Sequence, residues 1–200
     1  MIFYRDIDFE HECWCYNIPN TFSNDNLQKI DEYVSKQELS DATVIKTDSS
    51  VVDDEHVPSD FRSTKMCWMC DDFEEIRSVY DEASSIVREV NDNIWKYSIE
   101  GFEAIQYGEY RSEENGHYNW HMDTPARCNG GDIRKITFVI GLTDEYEGGL
   151  FETKTVETKS IKIKRGDIVV LPSFILHRVT PVTQGVRKTI VGWAKGPNFT

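Results

Sequence analysis

Two stretches with helical spacing of apolar residues in the first half, then about eight short apolar runs separated by turn residues after Gly101, predict an α+β chain. Its second part is expected to be a double-stranded β-helix, or jelly roll, with the N-terminal helices buttressing one sheet from outside. A third observation sets the domain count. No internal repeat, low-complexity tract or long Pro/Gly/Ser linker interrupts the chain, so residues 1–200 read as one domain, with 1–100 as helical and strand support and 101–200 as the jelly-roll core.

Glu12 to Ile18 reads as a strand, followed by a helix from about Ser23 to Lys36 in which Leu27, Ile30 and Val34 recur on one side. Ser23 supplies an N-cap oxygen. The acidic stretch Thr47 to Asp60, with Pro58 inside it, reads as a loop, and Arg62 to Met69 as a strand. Asp71 with Glu74 has capping-box spacing ahead of a long amphipathic helix marked by Phe73, Ile76, Tyr80, Ala83, Val87, Val90 and Ile94. That stripe is core packing. Strands are then expected at Phe102–Tyr107, His117–His121, Ile133–Leu142, Leu150–Thr153, Ser160–Ile163, Asp167–Leu171, His177–Val179 and Val186–Trp193. A tight turn at Thr183-Gln184-Gly185 would put His177 and Arg187 on adjacent antiparallel strands.

With 200 residues, 39% apolar and 12% aromatic, the chain buries a substantial core. Its net charge of −13 argues against nucleic-acid or anionic-membrane binding. A basic peptide partner stays open, and so does acidity that serves solubility alone. Met1 to Asp8 carry charges where a secretory signal needs an unbroken apolar run, and no segment reaches membrane-spanning length, so the expected location is cytoplasmic. Five irregularly spaced cysteines fit a reducing compartment better than a disulfide framework. Cys67-Trp68-Met69-Cys70 has the spacing of half a zinc site, with Cys13-Trp14-Cys15 as a conceivable other half; on apolar strands, though, free cysteine behaves as a small hydrophobe.

The chemistry concentrates at His121-Met122-Asp123. Ligand-type side chains at i and i+2 of an extended segment point to one face, so both can grip one ion. His177, alone on an apolar strand, is the candidate third ligand. Such a two-histidine, one-carboxylate set leaves the far coordination positions of an octahedral ion open, which suits oxygen activation. Alternation along Arg187 to Trp193 puts Arg187, Thr189, Val191 and Trp193 on one face. An inward arginine needs a carboxylate, either an internal Asp or Glu or the far end of a dicarboxylate cosubstrate.

From about Gly101 to Phe199 the chain resembles the catalytic domain of the 2-oxoglutarate and Fe(II)-dependent dioxygenases, in their prolyl 4-hydroxylase-like branch. The resemblance rests on Tyr107-Gly108, Tyr118 to Asp123, Arg134 to Thr137, Gly148 to Glu152, Pro172-Ser173, His177 to Val182, Gly185-Val186-Arg187, Gly192-Trp193 and Gly196-Pro197. It implies iron held by His121, Asp123 and His177, which are the catalytic centre, and Arg187 on the distal carboxylate of 2-oxoglutarate. Tyr107 would be the hydrogen-bonding neighbour of that carboxylate, with Tyr110 or Tyr118 as alternatives and Thr189 as a further contact.

The activity so implied is hydroxylation of an unactivated C–H bond on a peptidyl residue such as proline, consuming O2 and giving succinate and carbon dioxide. The cofactors implied are Fe(2+) and 2-oxoglutarate, with L-ascorbate (vitamin C) as a reductant whose requirement the sequence leaves open. Trp193, Tyr118 and the loop Thr124 to Asn129 are candidate substrate walls. Two other readings stand beside this one. The substrate could be a free amino acid or other small molecule, or the jelly roll could hold a metal without turnover, in which case Arg187 would have no second site to serve.

Overall fold

The computed structural model describes residues 14–42, 60–70, 74–124 and 131–199. In chain order its elements are β1 (Tyr16–Ile18), α1 (Asn24–Val34), β2 (Ser40–Asp41), β3 (Arg62–Ser63), β4 (Lys65–Met69) and α2 (Arg77–Asn93), which follows a 3-10 turn at Glu74–Ile76. The strands continue as β5 (Gly101–Phe102), β6 (Ile105–Arg111), β7 (His117–His121), β8 (Ile133–Gly141), β9 (Tyr146–Gly148), β10 (Phe151–Lys154), β11 (Thr158–Ile161), β12 (Ile168–Pro172), β13 (Leu176–Val179) and β14 (Val182–Gly196).

These strands form a major sheet ordered β1-β12-β8-β14-β6-β4-β2, with β5 and β9 also on β14, and a minor sheet ordered β11-β10-β13-β7-β3. Strands from the first half therefore complete both sheets. Alternation explains how the central strands serve two cores at once. In β8, Ile136, Phe138 and Ile140 pack toward the helices, whereas Val139 packs between the sheets; β12 divides the same way, Ile168 and Val170 against Val169 and Leu171. A strand buried on both faces reads as a continuous apolar run, as Ile168 to Leu171 does.

Helix α1 begins where expected. Ser23 accepts from the Asn26 amide at 3.4 Å and donates to Glu82 of α2 at 2.7 Å, so the cap also ties the helices together. In α2 the buried positions Val79, Ala83, Ile86, Val87 and Val90 press on the major sheet. Gly192 makes that contact possible, because a Cβ there would lie 2.3 Å from Phe138 Cζ and 2.9 Å from Ile105 Cγ2.

Several expectations are revised. His177 and Arg187 do not share neighbouring strands: β13 belongs to the minor sheet and β14 to the major one. The chain changes sheets at Thr180-Pro181, and Thr183 to Gly185 lie inside β14, where a register shift against β9 and a φ of 74° at Gly185 mark a bulge. Strand β6 runs on to Arg111, and β9 is an element the sequence reading lacks. Helix α2 starts at Arg77 instead of behind a capping box. Asp71 and Phe73 of that box and stripe, Glu12 and Cys13, the stretch Thr47 to Ser59, the loop residues after Thr124 and the charged N-terminal residues lie outside the described residues. Cys67 and Cys70 are free, and Cys67 is pushed up to about 11 by burial, as a packed thiol would be.

Gly192→Ala is expected to lower stability by about 1–3 kcal/mol through overpacking against Phe138. Urea unfolding measures it, and an unchanged midpoint would mean the helix-side core yields where close packing says it should not.

Candidate metal and anion site

His121 ends β7 directly opposite His177 of β13, so strand pairing alone brings the two imidazoles together, with ring centroids 4.2 Å apart. Two residues on, the Asp123 amide donates to the Ser173 carbonyl at 2.9 Å, which turns the carboxylate back toward them. Nδ1 of His121 faces the Asn119 carbonyl at 2.7 Å, and Nδ1 of His177 faces the Ile175 carbonyl at 2.8 Å. A carbonyl only accepts, so Nδ1 carries the proton and Nε2 keeps its lone pair for a metal. The Nε2 atoms lie 3.7 Å (His121) and 3.5 Å (His177) from the Asp123 carboxylate oxygens. Ligands about 2.1 Å from one first-row ion stand roughly 3 to 3.5 Å apart. Little movement is needed to close the site.

The carboxylate is held from behind. Its Oδ2 accepts from Thr137 Oγ1 at 2.7 Å and from Trp193 Nε1 at 2.9 Å, and Thr137 is in turn 3.0 Å from Ser173 Oγ. Burial alone would raise the Asp123 carboxyl, but His177, His121 and these two hydrogen bonds outweigh it and hold the group below the usual carboxylate range. Burial, then the neighbouring His177, pushes the His121 imidazole down to about 3. An ionised carboxylate beside a neutral imidazole is a donor set for a divalent cation, and nitrogen and oxygen donors without thiolate fit iron(II).

Arg187 enters the same inter-sheet space from β14 and is 1% exposed. Among the described residues its Nε and Nη2 have no hydrogen-bond partner, and neither has the Thr189 hydroxyl two residues along the same face. Nε–H and Nη2–H occupy one edge of the guanidinium, the edge that takes a carboxylate in two parallel hydrogen bonds. Leaving such donors buried and unmet is strongly unfavourable, so an anion belongs there. The described residues supply none to that edge. Tyr110 lies opposite Arg187 in the β6 to β14 register, its ring centroid 5.0 Å from the guanidinium carbon. A Cβ at Gly149, whose φ is 57°, would come within 3.0 Å of Arg187 Cδ, so glycine there leaves the side chain its path.

Tyr107 is not part of this group. It pairs with Ile190, packs in the helix-side core, and donates to Glu109 at 2.7 Å, on the face of β6 opposite to Tyr110. Tyr110 takes the place expected of Tyr107 beside Arg187. Tyr118 instead stacks on His121 with centroids 3.5 Å apart, because a register shift between β7 and β13 turns both rings to one face. Trp193, expected as a wall, also steadies the Asp123 carboxylate. Thr137 and Ser173 lie within the motifs that carry the resemblance but were given no role there, although a hydroxyl residue at an inward position of the apolar β8 was a usable signal.

Comparison with known proteins agrees with this geometry. Residues 105–195 match the family model described as the 2OG-Fe(II) oxygenase superfamily. A PKHD-type hydroxylase of Synechococcus sp. (strain CC9311) is 40% identical over 86 residues, which are 42% of this chain and 38% of that protein. One from Hyphomonas neptunium (strain ATCC 15444) is 41% identical over 88 residues, 41% of this chain and 39% of that protein. The alignments thus span about two-fifths of those relatives. Among solved structures, a prolyl-4-hydroxylase of Pseudomonas putida superposes with a TM-score of 0.72 at 18% identity, over 91% of this chain and 92% of that one. A prolyl hydroxylase of Trichoplax adhaerens, in complex with a hypoxia inducible factor oxygen degradation domain peptide fragment, gives 0.69 at 18% identity, over 90% and 82%. These likenesses establish the jelly-roll fold. The same fold carries a non-heme alpha ketoglutarate dependent carbocyclase from nogalamycin biosynthesis, with a TM-score of 0.68 at 13% identity over 90% of this chain and 79% of that one.

Thr137→Val and Trp193→Phe each remove one hydrogen bond from Asp123 and are expected to weaken divalent-metal binding about 10- to 100-fold, read by titration with cobalt(II). Unchanged affinity in both would mean that the carboxylate needs no support from behind.

Proposed function

Over residues 105–195 the chain carries the sequence pattern of the 2OG-Fe(II) oxygenase superfamily, and we propose that it is an iron(II)- and 2-oxoglutarate-dependent hydroxylase. His121, Asp123 and His177 hold the metal, Arg187 takes the distal carboxylate of 2-oxoglutarate, and Thr189 adds a hydroxyl beside it. The observation that carries this reading is the buried Nε/Nη2 edge of Arg187, unmet by any of the described residues, in the same inter-sheet space as a three-donor metal set. A metal-binding module without a cosubstrate has no use for that edge.

Bound iron supplies oxygen activation coupled to decarboxylation of 2-oxoglutarate, giving succinate and carbon dioxide with one oxygen atom transferred to the substrate. The chain's own residues do the rest. Arg187 and Thr189 fix the far end of the cosubstrate, and the carbonyl-bound Nδ1 atoms fix the imidazoles. Thr137 and Trp193 fix the carboxylate, and the walls of the two sheets keep bulk water out. The substrate we favour is a peptidyl residue, proline first, in line with the printed names of the prolyl hydroxylase neighbours. The same reading includes action in the cytoplasm, one domain over 1–200 and ascorbate as reductant. No helix among the described residues is long and apolar enough to cross a membrane.

Succinate formation with iron(II), 2-oxoglutarate and proline-containing peptides tests the activity. His177→Ala should abolish both metal binding and turnover, whereas Arg187→Ala should leave metal binding intact and raise the KM for 2-oxoglutarate about 100-fold. Equal loss of metal in both variants contradicts the division of labour.

A further inference from the structure

Among the described arginines, Arg77, Arg111, Arg134, Arg165 and Arg178 each meet a carboxylate within the ion-pair distance. Arg62, Arg88 and Arg187 meet none among the described residues. Arg88 is exposed on α2, with its guanidinium over Phe102, and needs no partner beyond water. Arg187 keeps its fork for the cosubstrate on the reading above. Arg62 is the remaining case, and in a chain with 35 acidic residues against 22 basic ones its lack of an acid among the described residues is conspicuous.

Arg62 stands on β3, the edge strand of the minor sheet, paired with Tyr118. Its Nη2 crosses to the major sheet and donates to Gln106 Oε1 at 2.7 Å, while its Nε lies 3.4 Å from its neighbour Thr64 Oγ1, a weak contact. Gln106 is opposite Val191 of β14, on the inward face that also carries Trp193 and, deeper, Arg187. The guanidinium carbon of Arg62 sits 4.6 Å from the Tyr118 ring centroid, and that ring stacks on His121. Arg62 is therefore half-buried where the two sheets part, one aromatic ring from the metal set. Trp68, 46% exposed and opposite Gln106 on β4, lies beside Trp193 across the same opening with centroids 6.1 Å apart. Arg134 covers Trp193 as well, but Glu103 takes both its Nε and its Nη2, at 3.0 and 2.7 Å.

Resting on the proposed hydroxylase reading, we propose that Arg62 receives a carboxylate of the substrate, so that this enzyme selects substrates with an acid group close to the carbon it hydroxylates. The neutral amide of Gln106 orients the guanidinium without neutralising it, and the Tyr118 ring confines it from one side, so its charge is held in place and left for a ligand. The field of the whole chain repels anions, so the preference must come from this local contact. Two sources offer the same chemistry: an Asp or Glu side chain next to the target residue in a peptide, or the α-carboxylate of a terminal or free residue.

The test is a binding titration on protein loaded with zinc(II), as a redox-inert stand-in for iron, and saturated with 2-oxoglutarate so that Arg187 is occupied. The probes are two acid/amide pairs, acetyl-Glu-Pro-amide against acetyl-Gln-Pro-amide and N-acetyl-proline against N-acetyl-prolinamide. The acid of one pair is expected to bind at least about tenfold tighter than its amide, as one charge-assisted contact allows, and the pair that responds names the source. Arg62→Gln should bring acid and amide to equal affinity, Arg62→Lys should keep part of the preference, and Arg88→Gln should keep all of it. No acid preference in either pair, or a preference that survives Arg62→Gln, overturns the proposal. Because binding needs no turnover, this result is independent of whether succinate forms.

Discussion

A guanidinium lies between two sheets with its Nε and Nη2 edge facing no acceptor among the described residues, and the rest of the site is arranged around that unmet charge. Such a group keeps its place only if the structure over-determines it and a ligand completes it. Both sides of Arg187 are supplied by register: β6 brings Tyr110 opposite it, and the Gly148-Gly149 turn leaves room for its stem. The metal set obeys the same logic. Pairing of β7 with β13 brings His121 to His177, and pairing of β8 with β14 places Thr137 opposite Trp193, whose hydroxyl and indole nitrogen then converge on Asp123. Metal and anion groups are thus contributed by opposite sheets, and only closure of the sandwich brings them into one space.

This division explains how the fold tolerates so much polarity inside. The helix-side core is almost purely apolar, built by α1, α2 and the outer face of the major sheet, and it supplies most of the hydrophobic burial. The inter-sheet core is smaller and surrounds buried polar groups such as Arg187, Thr189, Thr137 and His177. The protein separates the layer that stabilises it from the layer that holds the buried polar groups, and the central strands β8, β12 and β14 belong to both.

Much of this was legible in the sequence, and the misses have physical causes. His121 and Asp123 stood out by their i, i+2 spacing, His177 as a lone histidine on an apolar strand, and Arg187 because an inward arginine needs a reason. The helices were legible from their stripes. The phase of β6 was not, since Ile105 to Tyr110 are all buried and the strand offers no polar side from which to tell Tyr107 from Tyr110. The sheet change after His177 was hidden for a related reason. Gly185 carries the signature of a turn, but its positive φ is used for a bulge within one long strand, and the real crossing at Thr180-Pro181 has no glycine at all. Arg62 was invisible as a site residue because its distinction is a missing partner, which only coordinates reveal.

The central claim is that Arg187 and the metal set hold the two ends of one molecule. It is tested most directly by thermal unfolding of the zinc(II)-loaded protein in increasing 2-oxoglutarate or 2-oxopentanoate, which share the metal-binding end but differ in the distal carboxylate. The account predicts a clear rise in Tm with 2-oxoglutarate, little or none with 2-oxopentanoate, and no difference between them in Arg187→Ala. Equal stabilisation of the native protein by the two compounds would contradict it.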